Sequence, residues 1–158
     1  MEKLIVSIFA DSLKFYTLRR KAVVYGGGGI MPDFFVPLDT TQYTMYHRQL
    51  TAKSVIINAS LKYVDQHRKQ LKKEYKTFED FNARFEVPDA MLQDVYAEGE
   101  KAKVKLKDEE ERKNSIPMLK MQLKALIARD IWDMTEYFQI MNEQNHIVQK
   151  AVEVLGKK

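Results

Sequence analysis

The chain has 158 residues, with 26 lysines and arginines against 22 aspartates and glutamates, and 45% of its residues are hydrophobic. A chain of this length and composition is expected to fold as one compact globular unit with a short appendage rather than to remain disordered. The absence of cysteine excludes disulfides, thiolate zinc sites and cysteine nucleophiles. No apolar run approaches the ~20 residues that span a bilayer, so no membrane-spanning segment is predicted.

The first forty residues have the pattern of short strands. Four runs rich in β-branched or aromatic residues are separated by turn formers, at residues 4–9, 15–17, 22–25 and 34–38. The first run is too short for the apolar core of a signal peptide and is interpreted as a strand. The predicted boundary of this β-rich segment lies near Thr40, which gives domains of residues 1–40 and 41–158.

The connection before the fourth run contains four consecutive glycines, Gly26 to Gly29, followed by Pro32. Consecutive glycines allow positive φ or a close approach of two chain segments. A dinucleotide site needs a third, spaced glycine at the start of a helix, and a phosphate loop needs Gly-Lys-Ser or Gly-Lys-Thr. Both are missing, so a structural turn is favoured over an anion site, and no cofactor is predicted.

From Tyr43 onward the apolar residues recur at helical spacing. One long helix is predicted to end near Tyr75, with a core stripe formed by Leu50, Ile57, Leu61, Val64 and Leu71. Capping boxes predict two further helix starts, Thr77 with Asp80 and Asp108 with Glu111. Pro88 suits the first turn of another helix.

The C-terminal third is predicted to hold a second long helix and a terminal helix. The long helix has an apolar series at helical spacing, comprising Leu123, Ile127, Ile131, Met134, Phe138 and Met141. Pro117 predicts either a fresh helix capped by Ser115 or a kink. The fold class is therefore mostly α (α+β), a short β-rich N-terminal segment followed by a bundle-like region of about five to six helices.

One cluster of cations is a candidate nucleic-acid site. It comprises Lys62, Arg68, Lys69, Lys72, Lys73 and Lys76, and Asp65 and Glu74 leave it an excess of four positive charges. The cluster lacks interleaved aromatic residues for base stacking, so a solvated helix face is favoured and no nucleic-acid partner is predicted.

The remaining polar residues predict no metal site. His47, His67 and His146 are far apart, and the acidic run 109–111 is typical of the first turn of a helix. Asp130 and Asp133 flank Trp132 and are predicted to be carboxylates on the buried side, one of them neutralised by Arg129.

The run from Tyr25 to Val36 resembles a segment of the carboxyl-terminal processing, or tail-specific, serine proteases. In that family Gly-x-Gly-Ile-x-Pro-Asp precedes an apolar strand, and residues 15–17, 37–41 and 122–132 extend the likeness over most of the chain. Lys21 and Ala22 depart from the Gly-Arg that members usually carry. The positions that match the family motif are Gly26, Gly27, Gly28, Gly29, Ile30, Pro32 and Asp33.

The resemblance implies a region without the catalytic centre, because the family's serine and lysine precede this segment. Ser7 and Ser12 are not in a small-residue turn that would build an oxyanion hole. The implied function is the non-catalytic C-terminal helical region of a serine endopeptidase of the cell envelope or periplasm. It would brace the rest of the protease chain and mediate subunit contact.

A homodimer is also predicted. Strand edges at residues 4–9 and 34–38 and the terminal stripe of Ile147, Ala151 and Leu155 are the surfaces expected to pair. Two alternatives remain open. One is a basic helical module that binds nucleic acid through residues 62–76, and the other is a small hydrolase that uses Ser12 or Ser60 with a neighbouring lysine.

Overall fold

The computed structural model describes residues 13–19, 21, 23–26, 34–37 and 43–156. The chain divides into two compact units, Met1–Pro37 and Leu38–Lys158. The described residues form two strands in the first unit and seven helices in the second. The predicted fold class, mostly α with a short β-rich start, is therefore confirmed.

The first unit contains an antiparallel pair of strands, β1 (Lys14–Tyr16) and β2 (Val23–Tyr25). Phe15 lies opposite Val24, which fixes the register, and the Gly26 amide donates to the Leu13 carbonyl at 2.8 Å. Both strands agree with the sequence pattern. The strand predicted at 34–38 is wrong for residues 34–37, which have no strand structure and include Pro37, whose nitrogen cannot donate to a ladder. The strand predicted at 4–9 lies outside the described residues.

The second unit is helical. Its described elements are α1 (Met45–Ala52), α2 (Val55–Glu74), α3 (Phe78–Arg84), α4 (Asp89–Lys101), α5 (Glu109–Ile131), α6 (Met134–Asn142) and α7 (His146–Gly156). Both predicted capping residues cap their helices. Thr77 Oγ1 accepts from the Asp80 amide at 3.3 Å, and Asp108 Oδ1 accepts from the Glu111 amide at 2.7 Å.

Two predicted helices are each divided in two, which is why the described residues hold more helices than expected. The first break is at Ser54, which has a left-handed backbone (φ 60°) between α1 and α2. Leu50 and Ile57 keep their spacing of seven across it, so the apolar period does not show the break. Leu61 was predicted to face the core, but it is 41% exposed.

The second break lies between α5 and α6, where Trp132 ends one helix and Asp133 caps the next. Met134 and Phe138 therefore leave the stripe that the sequence predicted and are exposed on α6. At Pro117 the fresh helix capped by Ser115 is also wrong. Helix α5 runs through the proline, and the Ser115 hydroxyl donates back to the Glu111 carbonyl at 2.7 Å.

Helix α5 is the centre of the helical unit and packs against α1, α2 and α6. Its four consecutive residues 125–128 are all buried, so this part of the helix is covered on every side. The same core contains an aromatic cluster, formed by Tyr75, Phe78, Phe81, Phe85 and Trp132. Phe81 is fully buried at its middle, with ring centroids 4.5 Å from Phe85 and 5.2 Å from Trp132.

Candidate functional site

The first glycine of the family-like motif lies at the end of β2 and lets an aromatic ring approach the backbone. A Cβ atom at Gly26 would lie only 2.7 Å from the Phe15 ring, closer than carbon atoms approach. The other motif positions, Gly27, Gly28, Gly29, Ile30, Pro32 and Asp33, lie outside the described residues.

The hairpin exposes much of its apolar surface. Phe15 and Tyr16 of β1 and Val23 and Val24 of β2 are all exposed, as is Leu18 in the turn between the strands. Within the described residues each strand has a single pairing partner. A two-stranded sheet is marginal in water, and exposed edges are templates for further pairing. Within the described residues, the hairpin therefore presents exposed apolar side chains and unpaired strand edges that another segment could cover.

The predicted cationic cluster on α2 is exposed, but contacts within the helical unit use two of its members. Lys62 pairs with Asp94 at 3.3 Å, and Arg68 donates to the Asp130 carbonyl at 2.7 Å. Lys69, Lys72, Lys73 and Lys76 point to solvent near the C-terminal end of α2. Cations are favourable at that end of a helix because of its dipole.

Ser60, one of the two candidate nucleophiles, is fully buried. Its hydroxyl donates to the Ile57 carbonyl at 2.8 Å within α2. A nucleophile needs access to substrate and a base that takes its proton, and Ser60 has neither exposure nor a free hydroxyl hydrogen. Ser12 lies outside the described residues.

The predicted pairing of Arg129 with a neighbouring carboxylate is confirmed for Asp130. The two side chains lie 2.8 Å apart and are largely buried beside the aromatic cluster. Asp133 was predicted on the buried side and is instead exposed, because it caps α6. The Arg129–Asp130 pair is thus a structural contact at the junction of α5 and α6.

A polar network that the sequence did not reveal joins the starts of α1 and α5. The two carboxylate oxygens of Glu111 accept from the amides of Tyr46 and Lys107, each at 3.0 Å. Glu111 therefore satisfies amides at the start of two helices at once. The capping-box pattern identified the Asp108 cap, but nothing local connects Glu111 with α1, 65 residues earlier.

Two hydroxyl groups complete this network. Ser115 Oγ donates to the Glu111 carbonyl and lies 2.6 Å from Thr44 Oγ1. Since the Ser115 hydrogen is used, Thr44 must donate to Ser115, and Thr44 Oγ1 also accepts from the His47 amide at 3.1 Å. Every hydrogen in this chain of bonds has an acceptor, so the network fixes α1 against α5.

His47 lies beside this network and is only 2% exposed. Gln122 is its neighbour on α5, yet neither ring nitrogen makes a hydrogen bond of good geometry within the described residues. Burial lowers the pKa of His47 below its ordinary value, the Gln122 amide opposes that shift, and Arg48 adds to it. Burial therefore favours the neutral imidazole of His47 in the native state.

The stability of the helical unit should depend on pH through His47. The unfolded state binds the proton more readily, so stability is fully present above the unfolded pKa of about 6.5 and falls as pH decreases through it, by at most about 1.4 kcal/mol per pH unit. Urea unfolding at pH 5 and pH 7 measures this difference. The glutamine of His47→Gln cannot titrate, so the difference in unfolding free energy between pH 5 and pH 7 should be smaller in that variant. An equal difference in both proteins would contradict the role of His47.

A shallow cleft of about 320 Å³ lies between α4 and α5. Its charged residues are Asp89, Glu109, Arg112 and Lys113, two of each sign. Arg112 lies over the Tyr96 ring, 5.1 Å from its centroid, and pairs with Glu109 at 3.1 Å. The four charges of the lining sum to zero, so the cleft favours neither an anion nor a cation.

The described part of the chain has neither a metal-binding cluster nor a membrane-spanning helix. No group of three histidine, aspartate or glutamate side chains there is arranged to hold a metal ion. None of the described helices combines the length and the apolar content needed to cross a bilayer.

The helical architecture and the surfaces just described define a small α-helical domain with an attached hairpin. Residues 46–133 match DUF8443, a family of unknown function, and the chain belongs to that family. The match begins in α1 and ends at the junction of α5 and α6, so it covers the core of the helical unit. No curated protein and no solved structure matches the chain.

Proposed function

We propose that this chain is the non-catalytic C-terminal helical region of a tail-specific serine endopeptidase of the cell envelope. It braces the catalytic core of the protease and mediates contact between subunits. The proposal combines the resemblance around Gly26 with one structural observation, the exposed hairpin. The activity belongs to the core, and the chain by itself does not cleave peptides.

The hairpin carries the proposal because it has the surface of an incomplete sheet. Phe15, Tyr16, Val23 and Val24 are large apolar side chains in water, next to backbone edges that can pair. Strands of a catalytic core would supply both the missing neighbours and the cover. The helical unit, in contrast, has its own buried core around α5. We therefore expect it to fold without the catalytic core.

Hydrogen exchange on the chain, alone and mixed with the catalytic core of a tail-specific protease, tests this role. The amides of β1 and β2 should exchange rapidly in the isolated chain and become protected in the mixture, while those of α5 stay protected in both. The matched control is Val24→Asp, which places a charge on the exposed strand and should prevent the protection. Unchanged exchange of β1 and β2 in the mixture would contradict the bracing role.

A fluorophosphonate probe, which labels activated serines, tests the absence of a catalytic centre. We expect no labelling of the isolated chain. Labelling that disappears in Ser12→Ala or Ser60→Ala would instead identify a small complete hydrolase.

Nucleic-acid binding is the second candidate function. It is favoured by the exposure of Lys69, Lys72 and Lys73 near the end of α2 and of Lys76 just after it. A duplex that bound at low salt and was released steeply as salt increased would support it. Under the proposal above, we expect no binding at low salt.

A further inference from the structure

Helix α7 is the one described helix of eight residues or more that buries none of its residues. Six of its eleven residues are apolar: Ile147, Val148, Ala151, Val152, Val154 and Leu155. At 100° per residue they fall on one side, and Gln149, Lys150 and Glu153 lie on the other. Within the described residues, Val148 and Val154 are half-buried and the other four are exposed, so most of this apolar side is uncovered.

An uncovered helix of this length needs a partner. The start of α7 is secured, because Asn145 Oδ1 accepts from the Ile147 amide at 3.0 Å and Gln149 donates to the Glu143 carbonyl at 2.7 Å. Capping fixes the first turn only, and helices shorter than ~12–15 residues are marginal in water without packing. The remaining stability must come from a surface that covers the apolar side.

The order of residues along this side fits a second copy of the same helix. Ile147, Ala151 and Leu155 repeat every four residues as large, small, large. If a two-fold axis passes beside Ala151, the two copies of α7 run antiparallel. Ile147 of each copy then lies opposite Leu155 of the other, which gives two equivalent contacts. The two alanines meet where the helices cross, and their small size permits close approach. A two-fold interface requires this kind of self-complementary pattern.

The charges of α7 do not oppose the pairing. Lys150 and Glu153 form an ion pair at 3.0 Å. Glu153 lies on the side opposite Ala151, and Lys150 is about 100° around the helix from Ala151. No charged side chain is therefore desolvated at the centre of the contact, as is usual for the centre of an interface.

The exposed area of α7 suits a small contact. Ile147, Val152 and Leu155 are between 48% and 66% exposed, and Ala151 between them is exposed too. These aliphatic side chains supply less than the about 800 Å² that a standard interface buries on each partner, so a weak dimer is expected.

We propose that two copies of this chain dock through α7, antiparallel, with the two-fold axis beside Ala151. This inference rests on the subunit contact in the proposed function and assigns that contact to one helix. It places the contact on the C-terminal stripe rather than on strand edges. The contact is small, so the expected dissociation constant lies in the range of about 1–100 μM.

Cysteine cross-linking tests the geometry directly, because the chain has no cysteine of its own. Two Cα atoms must lie within about 7 Å to be bridged. Full-length Ala151→Cys should form a disulfide-linked dimer on mild oxidation. The matched control is Gln149→Cys, on the opposite side of α7, which should remain largely uncrosslinked. Equal cross-linking of both variants, or none of Ala151→Cys, would overturn the two-fold arrangement.

Sedimentation equilibrium between about 5 and 200 μM tests the association itself, over the range in which weak dimers form. The wild-type chain should dimerise, and Ala151→Glu should weaken the dimer at least tenfold while helices α1 to α6 stay folded, whereas Gln149→Glu should not weaken it. A monomer at every concentration, or equal dimerisation of both variants, would overturn the assignment of α7. Neither result would alter hairpin protection by the catalytic core, so the bracing role is tested separately.

Discussion

Phe81→Ala should lower the free energy of unfolding of the helical unit by about 3–5 kcal/mol, the range for removing a buried phenylalanine ring. The ring is fully buried and packs face to face with Phe85, edge-on to Tyr75 and beside Trp132. Its removal leaves a cavity that these rings cannot close without losing the contact of Tyr75 with Phe85 or that of Trp132 with Phe78. Urea unfolding followed by circular dichroism measures the change.

Phe138→Ala is the matched control, because it makes the same substitution at a ring that is 54% exposed on α6. It should lower the free energy of unfolding by less than about 1 kcal/mol, since little is packed against that ring. The measurement belongs at a protein concentration where the chain is monomeric. Equal losses in the two variants would contradict the central position of Phe81 in the core.

Glu111→Ala should lower the free energy of unfolding by about 2–3 kcal/mol, because a charged acceptor is removed and two amides lose their partner. Those amides belong to Tyr46 at the start of α1 and to Lys107 just before α5. Thermal or urea unfolding measures the loss. Faster hydrogen exchange in α1 should accompany it, since the carboxylate joins that helix to α5.

Two variants distinguish the stability contributed by the hydrogen bonds of Glu111 from a general effect of its charge. Glu110→Ala removes an exposed carboxylate from the same turn and should change stability by no more than about 0.5 kcal/mol. Glu111→Gln keeps one acceptor oxygen of the two and should lose about half as much as Glu111→Ala. A loss in Glu110→Ala as large as that in Glu111→Ala would show that the bridge to α1 contributes nothing.

The sequence predicted those features of the fold that depend on near neighbours. The helix starts at Thr77 and Asp108 follow from a side chain and an amide three residues apart, and both caps are observed. The end of α2 near Tyr75 also agrees with the prediction. Local hydrogen bonding determines such positions, so a short window of sequence contains the information.

The breaks within the long helices could not be predicted in this way. Ser54 adopts a left-handed backbone although it is neither glycine nor asparagine, and no proline marks the position. At the second break, Trp132 leaves the helix to join the rings of Phe78 and Phe81, which are about fifty residues earlier in the chain. Tertiary packing determines both positions, and the apolar period continues across them.

Among the candidate surfaces, too, some features follow from the local sequence and others depend on tertiary packing. The cations of α2 are exposed, as the pattern of charges indicated, whereas the bridge from Glu111 to α1 required knowledge of which helices are neighbours. The apolar side of α7 was evident from periodicity, but periodicity does not show whether that side faces the core of its own chain. Only the exposed fractions of Ile147, Val152 and Leu155 answer that question.

The aromatic cluster provides the chain with an optical probe of its own. Trp132 is the single tryptophan, and its ring is 5.2 Å from Phe81 and 6.1 Å from Phe78, between centroids. Its fluorescence therefore reports the junction of α5 and α6, while the tyrosine-rich hairpin contributes no indole signal. Melting curves recorded from indole emission and from amide absorption coincide only if the helical unit unfolds in a single step.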